Sequence, residues 1–365
     1  MPGPSFPAKG RNPLPGPSRT ENADVTVVGG GILGLCCAWE MIRRGTRIRV
    51  IEAERIGAGS SGGHVGALAP HAPENWNAKK AFQLDSLLMA EDFWAGIGAA
   101  SGLPTGYGRA GRAQPVADAA EAERLQERIA ASIRQWPAHM TMRLTDRPTA
   151  PLFPHSPSGL WLEDGLTARI NPRAALAALA AAIRAGGGEV VEGRVLHPQD
   201  IPGPALWATG VAGLEALSQD LGYAVGKGVK GQSALLRLDA GAAAQIFAGG
   251  LHIVPHEDGT VAVGSTSEND FTDDRTDAQL DDIIARARGI CPLLADAPVI
   301  DRWSGIRPRA KSRAPLLGAW PGREGHFVAN GGFKIGFGTA PKIAVVMADL
   351  LLDGVDAIPD GFRLA

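Results

Sequence analysis

The sharpest patterning along the chain lies near its start. Val25, Val27 and Val28 form a short β-branched apolar run, suited to a strand buried on both faces. A glycine turn follows, then helical spacing over Leu33 to Arg44 closed by Gly45, then a second apolar strand, Ile48 to Ile51. Between Ala78 and Leu152, the stretches AFQLDSLLMAEDFWAGI and EAERLQERIAASIRQW carry helical periodicity and no chemical motif. They predict two helices packed on a separate sheet, with segment 151–163 returning to the first domain. Asn171 and Pro172 suit the N-cap and N1 positions of a helix through RAALAALAAAIRA, stopped by Gly186 to Gly188. A strand over Glu189 to Val195 is expected next. Leu206 to Gly210 reads as a short strand running into Thr-Gly. Lys230 to Leu238 and then LHIVPHEDGTVAVGSTSE alternate as strands with a turn at Asp258-Gly259. Phe327 to Pro341 leads through a glycine-rich turn into a last helix, KIAVVMADLLLDG.

The first unit carries chemistry. Gly29, Gly31 and Gly34 fall on G-x-G-x-x-G between a strand and a helix. The first glycine permits the tight turn, the second lets backbone approach a pyrophosphate, and the third lets helix pack on strand. Ile32 and Leu33 open the helix, whose free N–H groups face the phosphates. The second strand delivers Glu52 roughly 20 residues on, where a carboxylate can hold ribose hydroxyls. That acid would repel the extra phosphate of NADP, which leaves FAD and NAD. The segment ERIGAGSSGGHVGALAPH, Glu54 to His71, then supplies small side chains, hydroxyls and N–H groups suited to wrapping a ligand.

Bulk properties narrow the picture. A chain of 365 residues can bury a large core and form two domains. The formal net charge of −2 gives no basic field for nucleic acid. Cys36, Cys37 and Cys291 are too few for a disulfide framework and read as reduced, structural residues. No His, Cys, Asp and Glu constellation has metal-site spacing. Met1 to Asn22, rich in Pro and Gly, is expected to be a disordered leader. No apolar run approaches the ~18 residues of a membrane span, so a soluble, cytoplasmic protein is expected.

The fingerprint, Glu52 and the GAGSSGGHVGALAP segment together resemble the FAD-dependent glycine/D-amino-acid oxidase family, which includes glycine oxidase, sarcosine oxidase and D-amino acid dehydrogenase. The resemblance spans about residues 24–355. It implies an α/β fold: a Rossmann-like FAD domain with a central parallel sheet (23–78, 158–226 and 303–365), interleaved with an antiparallel-sheet substrate domain (79–157 and 227–302). It assigns Arg55, Ser60, Ser61 and Gly66 to cofactor contacts, and Val195 to a backbone contact with adenine. LWATG resembles the family's A-T-G signature, which brings Thr209 and Gly210 near the pyrophosphate. Only about ten residues separate Leu196 from Leu206, so the hairpin many flavoproteins insert there is short or absent. The final glycine-rich turn, with Gly332 and Ile335, feeds a helix whose N-terminus faces the flavin pyrimidine ring.

The same resemblance marks the substrate end. WSGIRP, Trp303 to Pro308, matches a segment whose arginine, here Arg307, grips the substrate carboxylate through parallel hydrogen bonds. Lys334 is a second carboxylate ligand, and His252 aligns with an active-site tyrosine. His64 stands in the loop where some relatives attach flavin, but its register is one residue off; no flavin-linking cysteine follows WSGIRP, so FAD is expected to be non-covalent. Ala262 stands where sarcosine oxidases carry an oxygen-activating lysine, leaving oxidase and dehydrogenase both open. The implied reaction is oxidation of the C–N bond of a small carboxylate-bearing amine, with O2 or a quinone or electron-transfer partner as acceptor. Two alternatives are FAD-dependent oxidation of a tRNA wobble-uridine side chain and a flavin-holding subunit of a larger dehydrogenase. Balanced charge disfavours the first, and the presence of Arg307 and Lys334 the second.

Overall fold

The structure is a computed structural model that describes residues 23–148 and 152–364; the leader expected over 1–22 lies outside the described residues. Two large sheets share the chain. The first has six strands, in the order Leu316–Ala319, His326–Asn330, Ala205–Trp207, Val25–Val28, Ile48–Ile51 and Glu189–Val191. All its pairings are parallel except that between the first two strands. Strands buried on both faces need apolar residues throughout, and Val25, Val27, Val28, Ile48, Val50 and Ile51 are all buried.

The helix Ile32–Arg43 packs on this sheet and against Gly336–Asp353 and Pro172–Ala185. Asn171 caps the last of these, its side chain accepting from the Ala174 amide at 3.3 Å, with Pro172 in the first turn. The link between Val191 and Ala205 is a loop with a single 3-10 turn, Pro198–Asp200, and no hairpin. The strand expected through Val195 ends at Val191, because Gly193 turns the chain at φ +76°, and Val195 is 65 % exposed.

The second sheet has eight strands, in the order Val299–Ala310, Gly226–Arg237, Thr260–Gly264, Leu251–Pro255, Gln245–Ala248, Arg112–Pro115, Trp161–Asp164 and Met142–Thr145. Gln245–Ala248 and Arg112–Pro115 run parallel and every other pair antiparallel. Gly259 turns the chain between Pro255 and Thr260 with φ +77°. A separate core of Ala234, Leu236, Ile253, Val261 and Val263 lies under the helix Ala278–Ile290.

Three expectations need correction, the first being the boundary at 303, which falls inside the second-sheet strand Val299–Ala310. Segment 151–163 does not return to the first sheet: Trp161–Asp164 pairs with Arg112–Pro115 and Met142–Thr145 in the second. Of the two helices expected on a separate sheet, only Ala119–Gln135 packs there, on Met142–Thr145. Ala78–Ser101 instead packs on Gly336–Asp353 and Pro172–Ala185. Phe82, Leu87, Phe93, Trp94 and Ile97 join the core of the nucleotide layer, and periodicity does not reveal which neighbour an apolar face meets.

Candidate active site

The edge-to-edge order of the first sheet sets the place of the site. Val25–Val28 lies between Ile48–Ile51, to which its own C-terminal connection leads, and Ala205–Trp207, whose C-terminal connection leads away to the second sheet, so a crevice opens at these strand ends. Gly29 turns at φ +111°, and a Cβ there would come 2.4 Å from the Ala208 carbonyl oxygen. A Cβ on Gly34 would lie 2.1 Å from the Gly29 carbonyl oxygen, so helix and turn touch through backbone alone. The crevice opens into a cavity of about 1090 Å³.

Three helix N-termini converge on it. Gly31 and Ile32, Gly210, and Gly336 each begin a helix of at least 12 residues and each line the cavity. Their summed partial positive charge suits a diphosphate at one end and an electron-rich ring at the other. Ser61 reaches into the first terminus, its Oγ accepting from the Ile32 amide at 3.0 Å. Glu52 sits beneath the glycine turn. Its Oε2 accepts from the Gly30 amide at 2.6 Å and its Oε1 from the Glu54 amide at 3.1 Å.

Of the residues expected at the cofactor, Gly29, Gly31, Ile32, Leu33, Glu52, Ser60, Ser61, Val195, Thr209, Gly210 and Gly332 line the cavity. Gly34, Arg55, Gly66 and Ile335 do not. Arg55 is exposed. Gly66 instead permits close strand contact: its carbonyl accepts from the Ile170 amide at 2.9 Å, and a Cβ would meet the Ile170 carbonyl oxygen at 1.8 Å. Ile335 is the N-cap of the last helix.

The far end of the cavity is cationic. Arg307, on Val299–Ala310, is 8 % exposed. Its Nη2 donates to the carbonyls of Thr266 at 2.5 Å and Lys230 at 3.3 Å, and its Nη1 donates to Ser265 Oγ at 2.8 Å. Among the described residues one Nη1 hydrogen and the buried Nε–H remain without a partner. Burial pulls Arg307 down to about 10, against a raising influence from Glu268. Lys334 Nζ stands 5.8 Å from the centre of the Phe333 ring, Arg307 Cζ 5.4 Å and Arg309 Cζ 5.7 Å. Phe333 holds φ +43°, rare for a bulky side chain, and presents its ring to all three cations. Lys334 is exposed, facing the cavity, and its pKa is lowered by burial of the ammonium and then by Arg307. Among the described residues neither Arg307 nor Lys334 makes an ion pair.

His252 also lines this end, with Nδ1 3.3 Å from Gln245 Oε1. Burial, then Arg112 and Lys334, depress it to about 3, so it is neutral throughout the physiological range. His64 has both ring nitrogens engaged, Nε2 with Asp301 Oδ2 at 3.1 Å and Nδ1 with Ser233 Oγ at 3.2 Å. Burial lowers its pKa as well. Ala262, buried in its strand, does not line the cavity; Lys334 is the lysine that does.

Comparison with known proteins identifies the family and its cofactor. Residues 24–350 match the family described as FAD dependent oxidoreductase. The chain belongs to that family. Its cofactor is accordingly FAD, and the glycine turn, Glu52 and three helix N-termini fit that dinucleotide. The chain is 26 % identical to glycine oxidase of Geobacillus kaustophilus over 381 residues, covering 91 % of this chain and 93 % of the relative. It is 27 % identical over 358 residues to the bifunctional protein ThiO/ThiG of Synechocystis sp., covering 91 % of this chain but 52 % of that protein. The chain thus spans about half the length of the ThiO/ThiG relatives. Among solved structures, glycine oxidase from G. kaustophilus superposes with a TM-score of 0.82 at 23 % identity, covering 94 % of this chain and 98 % of that one. Iminodiacetate oxidase from Chelativorans sp. BNC1 superposes with a TM-score of 0.80 at 21 % identity, covering 93 % and 98 %. These likenesses show a shared fold. No helix among the described residues is long and apolar enough to cross a membrane, and no group of described His, Cys, Asp and Glu side chains could hold a metal ion.

Sequence reasoning missed several cavity walls. Trp303 lies over Gly305 and beside Gly63, where a Cβ would meet its ring at 2.4 and 3.0 Å. Phe247, Ser265 and Phe333 also line the site. Only Gly305, two residues after Trp303, gave a local sign of close ring packing; Gly63 meets the same ring from a distant part of the chain.

Proposed function

We propose that this FAD-dependent oxidoreductase oxidises the C–N bond of a small carboxylate-bearing amine: glycine, sarcosine, a D-amino acid or a cyclic imino acid. The observation that carries this reading is the pair of cavity cations without acidic partners. Arg307 is a charge taken from water without a counter-ion, which is costly, and the solvent-accessible Lys334 ammonium faces the same cavity, so the arrangement suits a site completed by an incoming anion. Arg307 has spent both Nη2 hydrogens on carbonyls. The carboxylate therefore takes its free Nη1 hydrogen together with the Lys334 ammonium, rather than a two-pronged guanidinium grip. Phe333 and Trp303 give the cavity apolar walls, and holding the carboxylate fixes the direction of the Cα–H bond. FAD, when bound, supplies the two-electron acceptor. The imine product hydrolyses in water. The final electron acceptor is O2 or a quinone or electron-transfer partner.

Anaerobic flavin bleaching tests this reading. Glycine, sarcosine, D-alanine, D-proline, L-proline and pipecolate are added separately to the oxidised holoprotein, and air is then admitted. Bleaching by one group is expected and names the substrate class, while rapid recovery in air identifies an oxidase. Bound flavin that no amine bleaches would overturn the assignment.

A further inference from the structure

The hydrogen bonds behind His252 fix which of its nitrogens carries the proton. Gln245 is buried, and its Nε2 donates to the Ala168 carbonyl at 2.9 Å. A carbonyl can only accept, so the amide must turn its NH2 toward Ala168 and its oxygen toward His252. The oxygen in turn can only accept, so the neutral imidazole carries its hydrogen on Nδ1 and leaves Nε2 as a bare lone pair. Nε2 has no partner among the described residues and is not among the buried unpartnered atoms, and the residue lines the cavity. Arg112 and Lys334 both oppose a second proton on the ring.

Arg307 opposes the charge on Lys334, and Arg307, Lys334 and His252 all line the one cavity. In an α-amino acid the nitrogen is one carbon removed from the carboxylate. A carboxylate held between Arg307 and Lys334 leaves its amine inside the same cavity that His252 lines. We propose that His252 Nε2 accepts a hydrogen bond from the amine N–H of the substrate, in a state imposed by the Ala168–Gln245 relay, so that the site selects amines that keep at least one N–H. This role rests on the carboxylate-bearing amine reading above. A protonated ring would repel a substrate that arrives as its ammonium, and a tautomer with hydrogen on Nε2 would offer the substrate N–H no acceptor. The relay excludes the second, and the two neighbouring cations oppose the first. Ring contact with Phe247, at 4.7 Å between centroids, then only sets the orientation.

Two inert ligands of nearly equal shape test the assignment on the holoprotein. Glycolate carries a hydroxyl donor where propionate carries a methyl group, and both carry the carboxylate. Binding is read from the perturbed flavin absorbance, without turnover. Glycolate is expected to bind roughly five- to tenfold more tightly than propionate, the order of one hydrogen bond. In His252→Phe the preference is expected to vanish while the propionate constant changes less than twofold. Equal binding of the two ligands by the unsubstituted protein would overturn the proposal, whether or not the variant folds. So would a preference that survives in His252→Phe. Both results leave the carboxylate site intact. Failure of either ligand to bind would overturn the carboxylate reading itself, and the histidine role with it.

Discussion

Lys334→Met is the cleanest perturbation of the substrate end. The ammonium makes no hydrogen bond to the described protein, touches only the Phe333 ring and faces the cavity. Methionine keeps the apolar stem and removes the charge. A hydrogen bond to a charged group contributes about 1.5–3 kcal/mol, a roughly 10- to 150-fold factor in binding. Because Lys334 is solvent-accessible, screening places the effect near the lower bound, about tenfold. The carboxylate is held equally in ground and transition states, so the loss belongs in KM with kcat little changed. Folding stability should move by less than about 0.5 kcal/mol, as for surface substitutions without special contacts. Steady-state kinetics on whichever amine bleaches the flavin, with a denaturation curve alongside, gives both quantities. A KM within twofold of the unsubstituted enzyme would refute the idea that Lys334 shares the carboxylate. Arg307→Ala is a less selective experiment: it strands the Thr266 and Lys230 carbonyls and the Ser265 hydroxyl, and so lowers stability as well as activity.

Other outcomes follow from the same contacts. Gly34→Ala forces a Cβ to 2.1 Å from the Gly29 oxygen, and the purified protein should carry little flavin by its absorbance ratio; full loading would mean that the turn can move. Glu52→Arg should weaken FAD retention on gel filtration, and unchanged retention would remove Glu52 as the ribose ligand. His64, His71, His252 and His256 all resist protonation when folded, chiefly through burial, whereas in the unfolded chain they protonate as pH falls through about 6.5. The unfolded state then binds more protons, so stability is full above pH 6.5 and declines toward the His252 value of about 3; His252→Phe should flatten part of that acid limb in a pH series of denaturation curves. Asp277, held down to about 2 by Gln232 and then Lys230, contributes stability present above about pH 4 and lost as pH falls through 2, and Asp277→Asn should remove that component.

What the sequence disclosed, and what it hid, follows from the range of each interaction. The contact of Gly34 with the Gly29 turn, the Asn171 cap and the pairing of Val25–Val28 with Ile48–Ile51 lie within a few dozen residues, and each leaves a local trace. The helix Ala78–Ser101 is equally legible as a helix, but its partner is not. Its apolar face meets helices that begin at Pro172 and Gly336, and nothing in its own spacing distinguishes them from a sheet. Arg55 and Gly66 show the same limit inside a motif. Position in a glycine-rich segment suggested cofactor contact, whereas Gly66 is small because Ile170, more than a hundred residues away, passes against it.

The substrate end is the least legible because its chemistry is assembled across the second sheet. Arg307 is poised by the Lys230 and Thr266 carbonyls on neighbouring segments. Beneath them, Gln232 Nε2 donates to Glu268 and Asp277 at 3.0 and 2.9 Å, and Lys230 pairs with Asp277 at 3.0 Å. His252 owes its tautomer to Gln245, and Gln245 its orientation to Ala168 on a strand from another part of the chain. No sequence window contains such a relay. A motif can nominate an arginine or a histidine for this site, but the proton each one offers or withholds is decided by backbone carbonyls that carry no side-chain signature.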